Sequence, residues 1–341
     1  MSEPADTALW MVRGAWITLA MRGACVLGVF EALQRPRSLA EVAELTVSDP
    51  PTLARLLRTL VDLRLVERVG DGYANTELGA TLTEQHPSRI RDLLLMQATL
   101  PNLGAWGALE DAVRNGTGVF EQVNGAPSWQ MLAADPEAQQ RFNAAMARRA
   151  VGQIEALLAA ADLTDVTTLV DVGGGRGAML TGLLHRLPGL QGVIADQPGV
   201  AAEAQDRFTA EGLADRARGE ACDFFDSVPS GGDVYVVSNV LHDWDDADCI
   251  AILSTVRAAM PAHARLLVVE HVLEAPGRSA EAQRDVHLVD LHMLVMFGGR
   301  ERSRAEYDAL LTRSGFTASV LAPTGTDWNV LEARPAPSTA E

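Results

Sequence analysis

The sequence predicts an α/β fold in which a doubly wound, mostly parallel sheet follows a helical N-terminal half. After residue 168, apolar runs with the length of buried strands alternate with helical segments. A glycine-rich loop joins the first of these runs directly to a helix. Before residue 160, apolar residues recur instead at the spacing of one helix face. These patterns separate a helical half from a sheet-forming half.

The N-terminal part has the pattern of a winged helix. After apolar helical stretches, Ser38–Glu41 has the sequence of a capping box that opens a short helix, and Pro51 suits the first turn of the next helix. Leu65–Val69 and Tyr73–Thr76, joined by Gly-Asp-Gly, form a predicted hairpin. Winged helices can bind DNA, but the second helix carries few basic residues. We therefore interpret residues 1–95 as a packing and dimerisation domain.

The middle of the chain is predicted to be a helical linker at residues 96–160. Apolar residues form two further helical stripes there. We expect this linker to contribute to the substrate pocket. At the other end of the chain, two prolines after Arg334 indicate a disordered tail at residues 335–341.

Residues 161–334 are predicted to form the sheet domain. Its strands are expected at Thr168–Val172, Gly192–Asp196, Val234–Ser238 and Leu266–Glu270. The intervening helices are expected at Leu180–Leu187, Ala201–Glu211 and Ala247–Met260. Alternation of strand and helix predicts parallel pairing with helices on both faces of the sheet. A closing antiparallel pair is expected at 320–323 and 328–333.

The charge and the cysteine content limit the classes of function. A formal net charge of −17 repels nucleic-acid phosphates and anionic lipid headgroups, so neither nucleic acid nor membrane is expected as a partner. The three cysteines are odd in number and widely spaced, at Cys25, Cys222 and Cys249, which favours a reducing compartment over a disulfide framework. The acidic first residues lack the basic region of a signal peptide. A cytoplasmic location is therefore expected.

The glycine-rich loop at 173–177 predicts a nucleotide-type ligand. Glycines allow a sharp turn and close approach of the backbone to a ligand, and the helix start that follows supplies free N–H groups. The second strand ends in Asp196, at the distance expected for a carboxylate that binds a ribose diol. Gly173 and Gly175 also fit the dinucleotide pattern, so a nicotinamide-dependent oxidoreductase is an open alternative.

Two acidic positions favour S-adenosylmethionine over a nicotinamide cofactor. Asp171 stands just before the glycines, where a carboxylate suits a ligand that carries an ammonium and a sulfonium. Asp223 and Phe224 follow the third predicted strand, where an acid can bond an adenine edge and an aromatic ring can pack on its face. The alternative for this pair is a turn-capping acid beside a core aromatic residue.

His242 follows the next strand, in Leu241-His242-Asp243-Trp244. The carboxyl ends of parallel strands form the ligand side of an open α/β sheet, so the imidazole is expected at the binding crevice. A neutral imidazole there is a candidate general base.

These motifs, in this order behind a winged-helix half, resemble the plant-type O-methyltransferases. Bacterial members of that family act on aromatic polyketides, phenazines and related natural products. The resemblance extends from about Trp10 to Ala333. It implies a class I methyltransferase sheet, an N-terminal dimerisation domain that forms a homodimer, S-adenosyl-L-methionine as the methyl donor and a small aromatic substrate.

The resemblance also implies roles for single residues. His242 is expected to be the catalytic base, flanked by Glu270 at a strand end and by Glu301 before a capped helix. Ser238 stands where plant members often carry a lysine, so its contact with the cofactor is expected to differ. The family places substrate contacts at Met146 and Met293, for which the alternative is an ordinary place in the core. Trp129, Phe142 and Asp243 are further expected substrate contacts.

Three alternatives stay open at this point. Besides the oxidoreductase, they are a family relative that has turned to hydroxylation or decarboxylation, and a winged-helix regulator that senses a small molecule. Retention of His242 favours methyl transfer over the altered chemistry. No metal site is expected, since no set of cysteines and histidines has ligand spacing. The sequence does not name the acceptor.

Overall fold

The computed structural model describes residues 4–322 and 324–337. These residues form two compact units. The first runs up to Leu103 and includes Trp129–Arg148, and the second comprises Gly104–Ser128 and the chain from Arg149 onward. The segment predicted as one linker is therefore divided between the two units.

Helices dominate the chain up to residue 160. The helices there are α1 (Pro4–Val12), α2 (Gly14–Leu27), α3 (Val29–Ala32), α4 (Leu39–Leu45), α5 (Pro50–Asp62), α6 (Glu77–Ala80), α7 (Ile90–Gln97), α8 (Leu100–Trp106), α9 (Leu109–Asn115), α10 (Phe120–Asn124), α11 (Ser128–Ala134) and α12 (Pro136–Ala160). One antiparallel hairpin, β1 (Val66–Val69) with β2 (Gly72–Asn75), interrupts them. Among the described residues no helix is both long enough and apolar enough to cross a bilayer.

Local sequence explains the winged-helix part of the first unit. The side chain of Ser38 accepts a hydrogen bond from the backbone of Glu41, and the Glu41 carboxylate accepts one in return from the Ser38 backbone at 2.7 Å. This capping box confirms the predicted start of α4. Asp49 caps α5, whose first turn contains Pro50. The hairpin is also confirmed, so the winged-helix prediction is correct.

The second unit is built on a parallel sheet. Its strands are β3 (Thr168–Val172), β4 (Gln191–Asp196), β5 (Ala217–Ala221), β6 (Val234–Ser238), β7 (Arg265–Glu270), β8 (Val272–Leu273), β9 (Arg302–Ser303), β10 (Val320–Ala322) and β11 (Asn329–Ala333). The helices between them are α13 (Ala178–Arg186), α14 (Pro198–Ala210), α15 (Asp246–Ala259), α16 (Ala280–Phe297) and α17 (Arg304–Arg313). Of these described strands, β8 and β9 form a separate parallel pair, and the other seven form one sheet.

The order of the large sheet locates the ligand crevice. The strands lie in the order β10-β11-β7-β6-β3-β4-β5, in which β5, β4, β3, β6 and β7 are parallel and β11 and β10 are antiparallel. The chain runs outward from β3 to β5 and then returns to place β6 on the other side of β3. Ligands of open α/β sheets bind at such a reversal, outside the carboxyl ends of the strands. The crevice therefore opens beyond β3 and β6.

The central strands are buried on both faces, which explains their continuous apolar sequences. Val170 and Val172 of β3 belong to one apolar layer, whereas Leu169 belongs to the layer on the opposite face. Asp171 lies within this buried strand, where an apolar residue would be expected.

The predicted closing pair is present as β10 and β11. Pro323, at the end of the predicted first strand, lies outside the described residues. Pro335 pairs with Phe316, so the ordered backbone continues past Arg334, where the prediction placed the start of a disordered tail. Residues 338–341 of that tail lie outside the described part of the chain.

Candidate active site

The glycine loop makes the sharp turn that the sequence predicts between β3 and α13. Gly173 has φ of 69°, in the left-handed region that favours glycine. A Cβ on Gly173 would lie 2.7 Å from Cγ2 of Val240, which follows β6. A Cβ on Gly174 would lie 2.6 Å from the carboxyl carbon of Asp171. The loop is thus packed closely between the ends of β3 and β6.

Asp196 ties the end of β4 to this loop. Its Oδ2 accepts a hydrogen bond from the backbone N–H of Gly175 at 2.9 Å, and its Oδ1 accepts one from Gln197 at 2.7 Å. A carboxylate offers about four lone-pair directions, so acceptor capacity is left for hydroxyl donors of a ligand. Burial raises the pKa of Asp196, although the two backbone bonds oppose this. Its contact with a ribose stays a prediction.

Asp171 is a fully buried carboxyl group below the loop. Neither of its oxygens has a hydrogen-bond partner among the described residues. Burial raises its pKa to about 7, and the charge of Asp196 adds to the effect. A buried carboxylate without a partner is costly unless it is protonated or meets a positive charge. Asp171 therefore suits a cationic ligand.

The residues after β5 divide between two roles. Asp223 accepts a hydrogen bond from the backbone of Phe225 at 2.9 Å, which is the turn-capping alternative considered for it. Phe224 and Phe225 both pack edge-on against Trp244, with ring centroids 6.0 Å and 4.9 Å away. Phe224 also borders the loop, since a Cβ on Gly173 would lie 3.7 Å from its ring. An aromatic wall therefore stands beside the glycine loop.

The end of β6 presents buried polar groups to the same region. The hydroxyl of Ser238 and the side-chain oxygen of Asn239 are buried and have no hydrogen-bond partner among the described residues. Asn239 has φ of 58°, a left-handed conformation that asparagine tolerates better than most residues. Sequence reasoning did not single out Asn239, and no local pattern marks it. Strained backbone with unsatisfied polar atoms is typical of functional sites.

His242 lies in a short 3-10 turn, Leu241–Asp243, directly after β6. The residue is only 2% exposed. Its Nδ1 lies 2.9 Å from Oε1 of Glu301 and 3.7 Å from Oε2 of Glu270, and its Nε2 lies 3.6 Å from Oδ1 of Asp243. The structure thus brings together the histidine and the two acids singled out in the sequence.

Glu301 is the acid that orients the imidazole. Its carboxylate is buried at hydrogen-bond distance from Nδ1, and its own N–H donates to Asp290 at 2.8 Å. A carboxylate accepts, so Nδ1 of His242 carries the hydrogen and donates. In the neutral imidazole this leaves the lone pair on Nε2, which is the form that accepts a proton.

Glu270 flanks His242 as expected and also bonds the backbone of the turn. Its Oε1 accepts hydrogen bonds from the backbone N–H groups of Val240 and Leu241, at 3.0 and 2.9 Å. The side chain therefore fixes the backbone that leads into the His242 turn. Its second oxygen faces Nδ1 at the longer distance and contributes charge more than hydrogen bonding.

The charges of the cluster favour a protonated imidazole. Burial alone lowers the pKa of His242, but the carboxylates of Glu270, Asp243 and Glu301 raise it to about 10. Burial raises the pKa of Glu270 to about 7 and that of Asp243 to about 6, against the opposing charge of His242. A positive ligand in the same crevice would oppose the imidazolium and lower the His242 pKa.

The predicted substrate residues fall in both units. Asp243 and Met293 belong to the unit that contains His242, and Met293 is buried on α16. Trp129, Phe142 and Met146 belong to the other unit, where the rings of Trp129 and Phe142 meet edge-on with centroids 5.6 Å apart. Their contact with substrate stays a prediction.

Sequence reasoning missed a neutral histidine near the cluster. Nδ1 of His292 lies 3.1 Å from the indole nitrogen of Trp106, which can only donate, so Nδ1 must accept. Burial, followed by the charges of Arg149 and His242, lowers the His292 pKa to about 4. The two partners lie far apart in the sequence, so no spacing could reveal the pair.

The acids and the histidine also have the spacing of a candidate cation site. One ligand atom each from His242, Glu270 and Glu301 lies within 4.8 Å of the others. The spacing of cysteines and histidines in the sequence predicts no metal site. Because Oε1 of Glu270 bonds backbone N–H groups and Oε1 of Glu301 bonds the imidazole, we interpret the group as a histidine–acid cluster.

The open parallel sheet, its glycine loop and the polar crevice at the reversal define a class I methyltransferase fold. Residues 106–317 match the family model of the O-methyltransferase domain, and residues 10–85 match that of the O-methyltransferase dimerisation domain. The chain belongs to this O-methyltransferase family, and its methyl donor is S-adenosylmethionine. Because the chain belongs to this family, it is neither a nicotinamide-dependent oxidoreductase nor a winged-helix regulator.

Several curated relatives are methyltransferases of bacteria. The chain is 38% identical over 324 residues to the mitomycin biosynthesis 6-O-methyltransferase of Streptomyces lavendulae, covering 94% of this chain and 91% of the relative. It is 35% identical over 329 residues to the phenazine O-methyltransferase PhzM of Lysobacter antibioticus, covering 96% and 95%. A third relative, 35% identical with 88% and 86% coverage, is the 8-amino-8-demethylriboflavin N,N-dimethyltransferase of Streptomyces davaonensis.

Solved structures share the whole fold. The mitomycin 7-O-methyltransferase MmcR is similar with a TM-score of 0.90 and 37% identity, covering 97% of this chain and 98% of that one. The O-methyltransferase NcsB1 from neocarzinostatin biosynthesis, solved with S-adenosylmethionine and 2-hydroxy-5-methyl naphthoic acid, has a TM-score of 0.81 and 32% identity. It covers 94% and 96% of the two chains.

Proposed function

We propose that this enzyme methylates a hydroxyl group of a small aromatic natural product, with His242 as the general base. The observation that carries the proposal is the buried imidazole whose Nδ1 is bonded to Glu301. That bond leaves Nε2 as the proton acceptor at the carboxyl end of β6. NcsB1 supports the substrate class, since its ligand is a hydroxylated naphthoic acid.

The residues of the crevice fit S-adenosylmethionine. Asp171, a buried carboxyl group without a partner, suits the positive charge of the donor. Asp196 would hold the ribose hydroxyls, and the buried hydroxyl of Ser238 is available to the ribose or the base. Phe224 with Trp244 provides a wall for the adenine face. The donor, when bound, supplies a methyl group on an electron-poor sulfur.

The carboxylates around His242 make it a stronger base for a phenolic proton than an ordinary histidine. A phenol has a pKa near 10 and an ordinary histidine about 6.5. The surrounding carboxylates raise the His242 pKa above that ordinary value, which strengthens the imidazole as an acceptor of a phenolic proton. Only the neutral imidazole accepts a proton, and positive charge in the crevice favours that form. Glu301 then stabilises the imidazolium as the O–C bond forms.

The test is a methylation assay with the purified enzyme, S-adenosylmethionine and a panel of acceptors. Suitable probes are hydroxynaphthoates, hydroxyphenazines and aminohydroxybenzoates, each with its O-methyl ether as a matched control. We expect a product heavier by one methylene, with the new methyl on oxygen by NMR, and no product from the ethers. Methylation on nitrogen alone, or consumption of the donor with oxidised or decarboxylated product, would contradict the proposal.

Donor binding is expected to depend on pH through Asp171. Its pKa of about 7 means that the free site is partly protonated at neutral pH. A cationic ligand favours the carboxylate, so binding displaces a proton, and affinity falls by up to about tenfold per pH unit below that pKa. Calorimetry of S-adenosylhomocysteine, which keeps the ammonium, at about pH 6 and pH 8 measures this. Asp171→Asn should remove the slope. Equal affinity at both pH values without proton release would refute the role of Asp171.

We infer that the enzyme is a homodimer that associates through its first helices. Residues 10–85 match an O-methyltransferase dimerisation domain. Large apolar side chains on α1 and α2, including Trp10, Met11 and Trp16, are exposed in the single chain. Contiguous exposed apolar surface is typical of an interaction site.

A further inference from the structure

We propose that Arg302 is a positioning residue that holds the His242 turn in its catalytic geometry. The proposal rests on the proposed role of His242 as the base. Arg302 is fully buried, which is unusual for an arginine unless its charge is paired and its donors are used. It directly follows Glu301, the acid that orients the imidazole.

The guanidinium of Arg302 donates hydrogen bonds to the backbone on both sides of His242. Nη1 donates to the carbonyl oxygen of Leu241 at 2.7 Å, and Nη2 donates to the carbonyl oxygen of Trp244 at 2.8 Å. These residues immediately enclose His242 and Asp243. Nε and Nη2 also donate to Oδ1 of Asp246, at 3.1 and 2.9 Å. One planar group thus fixes the turn to the first residue of α15.

A second set of contacts approaches the turn from the same segment. The backbone N–H of Arg300 donates to the carbonyl oxygen of His242 at 2.8 Å. A Cβ on Gly299 would clash with that same oxygen, so the segment and the turn are packed as closely as backbone allows. The carbonyls of Leu241, His242 and Trp244 are all satisfied by residues 300–302. The turn has little freedom to move on its own.

The small parallel pair of β8 and β9 connects Arg302 to the strand end that carries Glu270. β8 begins two residues after Glu270, β9 begins at Arg302, and Val272 pairs with Arg302. The backbone that carries one acid is therefore hydrogen-bonded to the backbone that carries the other acid and the arginine. Arg302 thereby holds the turn at a fixed place relative to both acids.

Lysine cannot replace this arrangement. The arginine fork offers five N–H donors in one plane, whereas lysine is a single point charge on a flexible stem. A lysine would reach only one of the two carbonyls. The other would keep only weaker contacts, such as the thiol of Cys249, which lies 3.2 Å from the Leu241 oxygen and 3.6 Å from the Trp244 oxygen. A displacement of about 1 Å at a catalytic group can cost about 10²-fold in rate. We therefore expect Arg302→Lys to lower kcat by about 10–10²-fold with little change in KM.

The direct readout is the His242 imidazole. We would record its titration by NMR in protein with isotope-labelled histidine, saturated with S-adenosylhomocysteine, and assign it with His242→Gln. Arg302→Lys and Asp246→Ala are compared with Arg313→Lys, an exposed arginine at the end of α17. Asp246 is 45% exposed, so Asp246→Ala leaves no buried cavity, but it removes the acid that pairs with both Arg302 and Arg300, and circular dichroism of each variant verifies that it folds. It serves if Arg302→Lys does not fold.

The expected result is a shifted His242 titration in Arg302→Lys and Asp246→Ala, with S-adenosylhomocysteine affinity retained and kcat reduced on the best acceptor of the panel. Arg313→Lys should match the unmodified enzyme. A folded Arg302→Lys with an unchanged titration and unchanged kcat would overturn the proposal. An unchanged rate in His242→Gln would instead overturn the base assignment, while the titration still reports whether Arg302 positions the imidazole.

Discussion

Glutamine at position 242 is expected to lower methyl transfer by about 10²–10⁴-fold at neutral pH, the usual contribution of a general base. Glutamine keeps the polarity and much of the size of His242 but cannot accept a proton. Binding of S-adenosylhomocysteine should be unchanged, because the groups assigned to the donor lie at the ends of β3, β4 and β6. Steady-state rates and calorimetry on the same preparation separate the two effects.

The pH dependence of the methylation rate gives a second test of His242 as the base. Without the base, the reaction must wait for the acceptor to ionise, so the rate of His242→Gln should rise with pH toward the pKa of a phenol, near 10. The matched control is His263→Gln, whose imidazole is 70% exposed and lies 3.4 Å from Asp233. The control should behave like the unmodified enzyme. Full activity of His242→Gln at neutral pH would remove His242 from the mechanism.

Alanine at position 196 is expected to weaken donor binding by about ten- to a hundredfold. Hydrogen bonds to a charged group contribute about 1.5–3 kcal/mol, and about 1.4 kcal/mol corresponds to a factor of ten. Asp196 also accepts from the backbone of Gly175, so its removal loosens the loop as well as the ribose contact. Calorimetric titration with S-adenosylhomocysteine measures the loss.

A conservative variant and a remote one distinguish these contributions. Asp196→Asn keeps an acceptor for Gly175 but lacks the charge. Its affinity for S-adenosylhomocysteine should therefore lie between those of the unmodified enzyme and Asp196→Ala. Asp206→Ala alters an exposed acid on α14, the helix after β4, and should leave binding unchanged. Wild-type affinity in Asp196→Ala would show that the ribose is held elsewhere.

The sequence predicted the sheet domain well because its signals are local. β3 was predicted with its observed bounds, Thr168–Val172, since an apolar run ended by glycines is readable without the fold. The capping box at Ser38 and the hairpin after Leu65 are likewise contained in a few consecutive residues. The β8–β9 pair was not foreseen, because strands of two residues carry no periodic pattern.

The site was predicted in its residue types more than in its contacts. His242, Glu270 and Glu301 were found through the resemblance, and the structure brings them together. That Glu270 bonds two backbone N–H groups follows only from the tertiary fold. Arg302 escaped notice because its partners lie about sixty residues earlier in the chain and two of them are carbonyl oxygens, which no side-chain motif can indicate.

The nearly complete burial of His242 has a consequence for the order of events in each turnover. A proton that moves to this imidazole enters a pocket of acids from which bulk water is largely absent. It has no direct route to solvent through Glu270 or Glu301, which are themselves enclosed. Asp243, however, faces Nε2 at 3.6 Å and its side chain is 20% exposed, so this carboxylate offers the proton a way out, and the imidazole has to lose the proton before the next acceptor can react.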